Sequence, residues 1–134
     1  MKSFAIVLAV CFISAAYALT DAQKAKLKEH RDACITETGV DTAKVSNAKE
    51  GNYDDADEKL ACFSACLLKK IGIMNADGTF NEEATRAKIP PGIDAAKANE
   101  VINKCKTETG ATDCETGRKL YKCYLQNKSF SVLD

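Results

Sequence analysis

The residues of this chain best suited to chemistry are its cysteines, and two of them stand close together in "LACFSACLLKKIG", at Cys62 and Cys66. Four residues is slightly more than one helical turn, so both sulfurs leave the same side of a helix at neighbouring levels. That geometry suits a metal site, a redox pair or two separate disulfides. Other reactive groups are sparse. The single histidine, His30, has no adjacent nucleophile in the sequence and reads as a helix-surface or partly packed residue. "IMNADGTFNEEA" fails as a calcium loop, because it puts Ile73 at the first ligand position and Ala84 where a bidentate glutamate is needed. The acidic run Asp54, Asp55, Asp57 and Glu58 reads as the solvated start of a helix. No enzyme chemistry and no cofactor or metal site is expected.

The compartment narrows the options for the sulfurs. "MKSFAIVLAVCFISAAYA" opens with Lys2, continues through an apolar run and ends on the small residues Ala16 and Ala18, as a secretory signal peptide does. Its apolar part falls short of the roughly 20 residues that span a bilayer, so no stable membrane insertion is expected. Cleavage after Ala18 leaves a secreted domain over residues 19–134. It carries six cysteines and eighteen Lys and Arg against nineteen Asp and Glu, a net charge of −1. Such a balance leaves no electrostatic footprint for nucleic acid. An even set of six cysteines in a small secreted chain reads as a disulfide framework. Cys62 and Cys66 point out of the helix almost in parallel and are poor partners for each other, so each is tied to a different part of the chain.

The elements that must hold these cysteines are helices. Boundary signals recur: Thr20 with Gln23 before a first helix ending at Gly39, a short helix from Asp41 to Gly51, and a third helix from the acidic run to Gly72. A turn at Asp77 and Gly78 follows, then a short helix capped by Asn81 and stopped by Pro90 and Pro91, one capped by Asp94, and a last one capped by Asp113. The fold class is therefore all-α, a single compact domain of about six helices. In the third helix Leu60, Phe63, Ser64, Leu67 and Ile71 share one side, with Cys62 and Cys66 nearly opposite, so this helix belongs in the middle of the domain. Ala98, Val101 and Ile102 make a stripe on the fifth helix, and Gly117, Leu120, Tyr121 and Tyr124 one on the last. A packed core accounts for such stripes. A covalently braced shell also tolerates a cavity that would otherwise cost about 24 cal/mol per Å³ of empty volume.

The cysteine spacing is C-x27-C-x3-C-x38-C-x8-C-x8-C through Cys34, Cys62, Cys66, Cys105, Cys114 and Cys123. It resembles that of the insect odorant-binding proteins of the six-cysteine (pheromone- and general-odorant-binding) family, over the whole chain after the signal peptide. The resemblance implies the pairing Cys34–Cys66, Cys62–Cys114 and Cys105–Cys123, which clamps the third helix from both sides. It also implies helices around an apolar cavity that carries a small hydrophobic ligand, such as an odorant, pheromone or fatty acid, through extracellular fluid such as sensillum lymph. The expected lining is Leu60, Phe63, Ser64, Leu67 and Ile71, with Ile73, Met74, Phe80, Ile89, Val101, Leu120, Tyr121 and Tyr124, and with Phe130 and Val132 of the tail. Ser64, with Tyr121 or Tyr124, is the candidate partner for a polar head group, and Lys69, Arg118 or Lys122 for a carboxylate. The tail from Ser129 to Asp134 is a candidate pH-sensitive cover. Expected partners beyond the ligand are a chemosensory receptor and, at most, a second copy in a weak homodimer. The reading from another class is a secreted disulfide-braced defence or inhibitory protein that acts through its surface.

Overall fold

The computed structural model describes residues 21–89 and 94–127. Six helices lie among them: α1 (Asp21–Thr38), α2 (Thr42–Lys49), α3 (Glu58–Lys70), α4 (Glu82–Ala87), α5 (Ala95–Cys105) and α6 (Asp113–Asn127). The signal segment, Thr20, Pro90, Pro91 and the tail with Phe130 and Val132 lie outside the described residues.

Short polar side chains start these helices by satisfying amides that have no partner within the helix. Asp41 accepts from Ala43 N, Asp57 from Leu60 N, Asn81 from Ala84 N and Asp94 from Ala96 N. The start of α6 departs from expectation. The Thr112 hydroxyl, not Asp113, accepts from Glu115 N at 3.2 Å, and Glu115 reaches back to Ala111 N at 3.0 Å. Asp113 is thereby free to pair with Lys69 at 2.7 Å. The acidic run before α3 is likewise more than a solvated helix start. Asp54 takes Lys44 at 2.7 Å, Asp55 takes Lys122 at 2.7 Å with Arg118 beside it, and Asp57 is the cap.

α3 occupies the middle. Leu60, Ala61, Phe63, Ser64, Ala65, Leu67 and Leu68 are all buried, which covers both sides of the cylinder. α6 packs most extensively on it, and α1 lies against another side. The close approach of α3 and α6 depends on Gly117, where a Cβ would sit 2.5 Å from the Ala65 backbone. Three cystines fasten the same layers. Cys34–Cys66 joins α1 to α3, Cys62–Cys114 joins α3 to α6, and Cys105–Cys123 joins α5 to α6, with Cα separations of 5.8, 4.2 and 5.7 Å. The two α3 cysteines therefore bond in different directions, to the first helix and to the last.

Candidate ligand-binding site

Between α3 and α4 the chain makes a hairpin-like loop. Asn75 N donates to Thr79 O, Asn81 N donates to Ile73 O, and Asp77 accepts from both the amide and the hydroxyl of Thr79. An antiparallel bridge joins Met74 to Phe80, and Ile73 and Phe80 both line the space next to α5 and α6. α4 is then laid across α5 by Arg86. Its guanidinium bonds to Glu82 at 2.6 Å, to Asn103 at 2.9 Å and to Asn99, while Lys106 adds a contact to Glu82 at 3.6 Å. The arginine and lysine beside Glu82, chiefly the Arg86 hydrogen bond, lower its pKa and keep it ionised.

These elements enclose a cavity of about 70 Å³. α5 supplies Ala98, Val101, Ile102 and Cys105, a stripe at helical spacing, and α6 supplies Leu120 and Tyr124. Leu68 of α3 and Ile73 and Phe80 of the loop complete two further sides. Thr85, Lys88 and Ile89 close the side formed by α4 and the residues just after it. The exposed wall is apolar throughout. The Thr85 hydroxyl is turned away to donate to Asn81 O at 2.7 Å. The volume is several times the roughly 10–15 Å³ that one water needs, yet nothing on the wall can bond to water, and such cavities stay dry or take apolar guests.

Of the residues expected to line a site, Ile73, Phe80, Ile89, Val101, Leu120 and Tyr124 are brought together on this wall. Leu60, Phe63, Leu67, Met74 and Tyr121 lie instead in the packed core with Leu27, Val40, Val45 and Ala48, and Ile71 is half-buried against that core. The physical reason is rotational. The apolar stripe of α3 turns toward the core, and Leu68, itself a core residue one step beyond Leu67, is the α3 residue that also reaches the cavity. Ser64 is fully buried and already engaged. Its proton goes to Leu60 O at 3.0 Å, as helical serines often arrange, so the Tyr53 hydroxyl donates to Ser64 Oγ at 2.8 Å. Burial pushes the Tyr53 phenol up to about 12, and its ring tilts against Tyr121 with centroids 6.2 Å apart.

The cations expected at a pocket mouth also serve elsewhere. Lys69 holds Asp113, Lys122 holds Asp55, and Arg118 lies between Asp55 and Glu115 at 3.5 and 3.7 Å, none of them on the cavity wall. The cation that does reach the wall is Lys88, which was absent from the expected lining together with Leu68, Thr85, Ala98, Ile102 and Cys105. The i, i+3, i+4, i+7 run Ala98, Val101, Ile102, Cys105 was a legible signal for the α5 wall. Nothing in the sequence around Lys88 distinguishes it from its neighbours.

A cluster of Cys34, Cys66 and Glu37 has the compactness of a metal site, but its two sulfurs are bonded to each other as a cystine and offer no thiolate. No helix among the described residues is long and apolar enough to cross a membrane.

A small all-α domain whose central helix is cross-linked to helices on both sides, with an apolar-walled cavity beside it, has the architecture of a binding protein. Residues 16–127 match the PBP/GOBP family, and the chain belongs to it. It is 29% identical over 125 residues to general odorant-binding protein 56a of Drosophila melanogaster, covering 90% of this chain and 89% of that one. Among solved structures it is similar to the fatty acid binding protein OBP56a from the oral disk of the blowfly Phormia regina, with 31% identity, a TM-score of 0.66, and 81% and 94% of the two chains covered. Odorant-binding protein 4 of Chrysopa pallens aligns with 28% identity and a TM-score of 0.70, over 81% of this chain and 93% of that one.

Proposed function

We propose that this chain is an extracellular carrier that takes up one small hydrophobic molecule between α4, α5 and α6 and moves it through aqueous fluid in support of chemosensation. The observation that carries this reading is the cavity of about 70 Å³ with its wholly apolar exposed wall. Moving a guest's hydrocarbon there from water yields roughly 0.8 kcal/mol per CH₂, and an apolar cavity holds no ordered water to displace. A family relative named for odorants and a similar structure named for fatty acids supply the ligand class. Function is then binding and release, with no bond made or broken. Secretion past a cleaved leader at residues 1–18, passage through a fluid such as sensillum lymph, delivery to a receptor, and a monomeric or weakly dimeric state are parts of the same proposal.

The test is displacement of a fluorescent apolar probe from the refolded, fully oxidised chain by alcohols, aldehydes, esters and fatty acids. Saturable displacement at micromolar concentration supports the carrier reading. A cross-linked protein that admits no probe overturns it, and brings forward a defence or inhibitory protein acting through its surface.

A further inference from the structure

On this carrier reading, the wall of the cavity also says which head group it prefers. Eleven of its twelve residues carry no formal charge, and the exception is Lys88, immediately beyond α4. Its position is constrained in a way that most surface lysines are not. The stem crosses Gly72, the residue that ends α3 at a φ of +85°, so closely that a Cβ there would lie 3.3 Å from Lys88 Cε and 3.8 Å from Nζ. Gly72 thus keeps open the lane in which the lysine lies, while the methylenes contribute to the apolar wall and the ammonium emerges at its edge.

Several cations of the surrounding elements are engaged. Arg86 and Lys106 share Glu82, Lys69 pairs with Asp113, and Lys70 with Glu37. Among the described residues Lys88 has no carboxylate within ion-pairing distance, although the protein has as many acidic as basic residues. A cation left unpaired at the rim of a dry apolar cavity matches an amphiphile with an apolar chain and an anionic head. We propose that Lys88 is the head-group selector of the site, and that the preferred ligand class is a short- or medium-chain carboxylic acid in its ionised form. The chain fills the space between Val101, Leu120 and Phe80, and the carboxylate meets Lys88 Nζ at the rim.

Because Lys88 is exposed, its contribution is that of a solvent-screened pair and shows as selectivity more than as overall affinity. Calorimetric titration of the oxidised chain with octanoic acid and with 1-octanol, at neutral pH and low salt, reads it directly. The expected result is a preference of about three- to fivefold for the acid, diminished by added salt. Lys88→Met, which keeps an apolar stem, should bring that ratio to that of a charge-blind apolar site. Lys88→Arg should retain it and Lys88→Glu should reverse it. If the ligands still bind but the acid-to-alcohol ratio does not follow the charge at position 88, the head-group assignment is overturned and the carrier reading stands. If neither ligand binds the parent protein, the carrier reading falls and takes this inference with it.

Discussion

Ala98 is fully buried on α5 and faces the cavity, so enlarging it separates a binding site from a packing defect. At about 24 cal/mol per Å³, the unfilled volume of about 70 Å³ costs the ligand-free protein roughly 1.7 kcal/mol. Ala98→Leu places three more carbons in that space. Leucine is nearly as good a helix former as alanine, and three buried methylenes are worth up to about 2.4 kcal/mol, so the gain is limited by the void itself. We expect a stabilisation of about 1.5 kcal/mol, seen as an increase of roughly 1 M in the urea midpoint for an m-value of 1–3 kcal/mol/M. The same substitution removes the space for a guest, and affinity for an apolar probe should fall at least tenfold. Both readings require protein stripped of bound lipid under oxidising conditions, because a copurified ligand stabilises the parent by mass action and hides the gain. A variant that is stabilised yet binds the probe unchanged would show that ligands go elsewhere. One that is destabilised by 1–3 kcal/mol with binding intact would show that the space is not available even to a leucine.

Four further outcomes follow from the geometry. Ser64→Ala strands the Tyr53 hydroxyl and should cost about 1 kcal/mol in chemical denaturation, with no change in the ranking of ligand head groups. The Tyr53 phenol is raised in the folded state, so the stability it lends is fully present below about pH 10, its unfolded value, and is lost as pH rises through about 12; Tyr53→Phe should flatten that limb of a stability–pH profile. Gly117→Ala drives a methyl into the Ala65 backbone and should cost 1–3 kcal/mol, read as a lowered urea midpoint with all three cystines intact. Replacing Cys62 and Cys114 together by alanine removes the cross-link with the longest sequence separation, 52 residues, and should cost roughly 4 kcal/mol in the same assay.

The helices were legible because their ends are written in side chains that act locally. Asn81 and Asp94 cap the elements they were expected to cap, Asp41 caps the helix expected to start there, and Gly39 and Gly72 adopt positive φ where α1 and α3 stop. Thr112 shows the limit of that method. Thr112 and Asp113 are adjacent candidates for one cap, and the choice is decided from 44 residues away, by Lys69, which claims the Asp113 carboxylate. Asp55 was misjudged for the same reason, since its partner Lys122 is 67 residues distant and no periodicity connects them.

The site was half legible, and the division follows a rule about faces. Periodicity tells which residues of a helix are apolar, but not which of two apolar spaces they meet. α3 is buried on two sides, so its stripe carried no information about direction, and Leu60, Phe63 and Ser64 are buried away from the cavity wall that Leu68, also a core residue, reaches. α5 has one apolar stripe, which admits one orientation, and its Val101 stands on the cavity wall with Ala98 and Ile102 beside it. The same asymmetry places selectivity where patterns are weakest. A cavity walled by one-sided helices can discriminate little beyond size and apolarity, so any preference for a head group has to come from a connecting segment. Lys88, which no helical pattern picks out, sits just past the end of α4 at that edge.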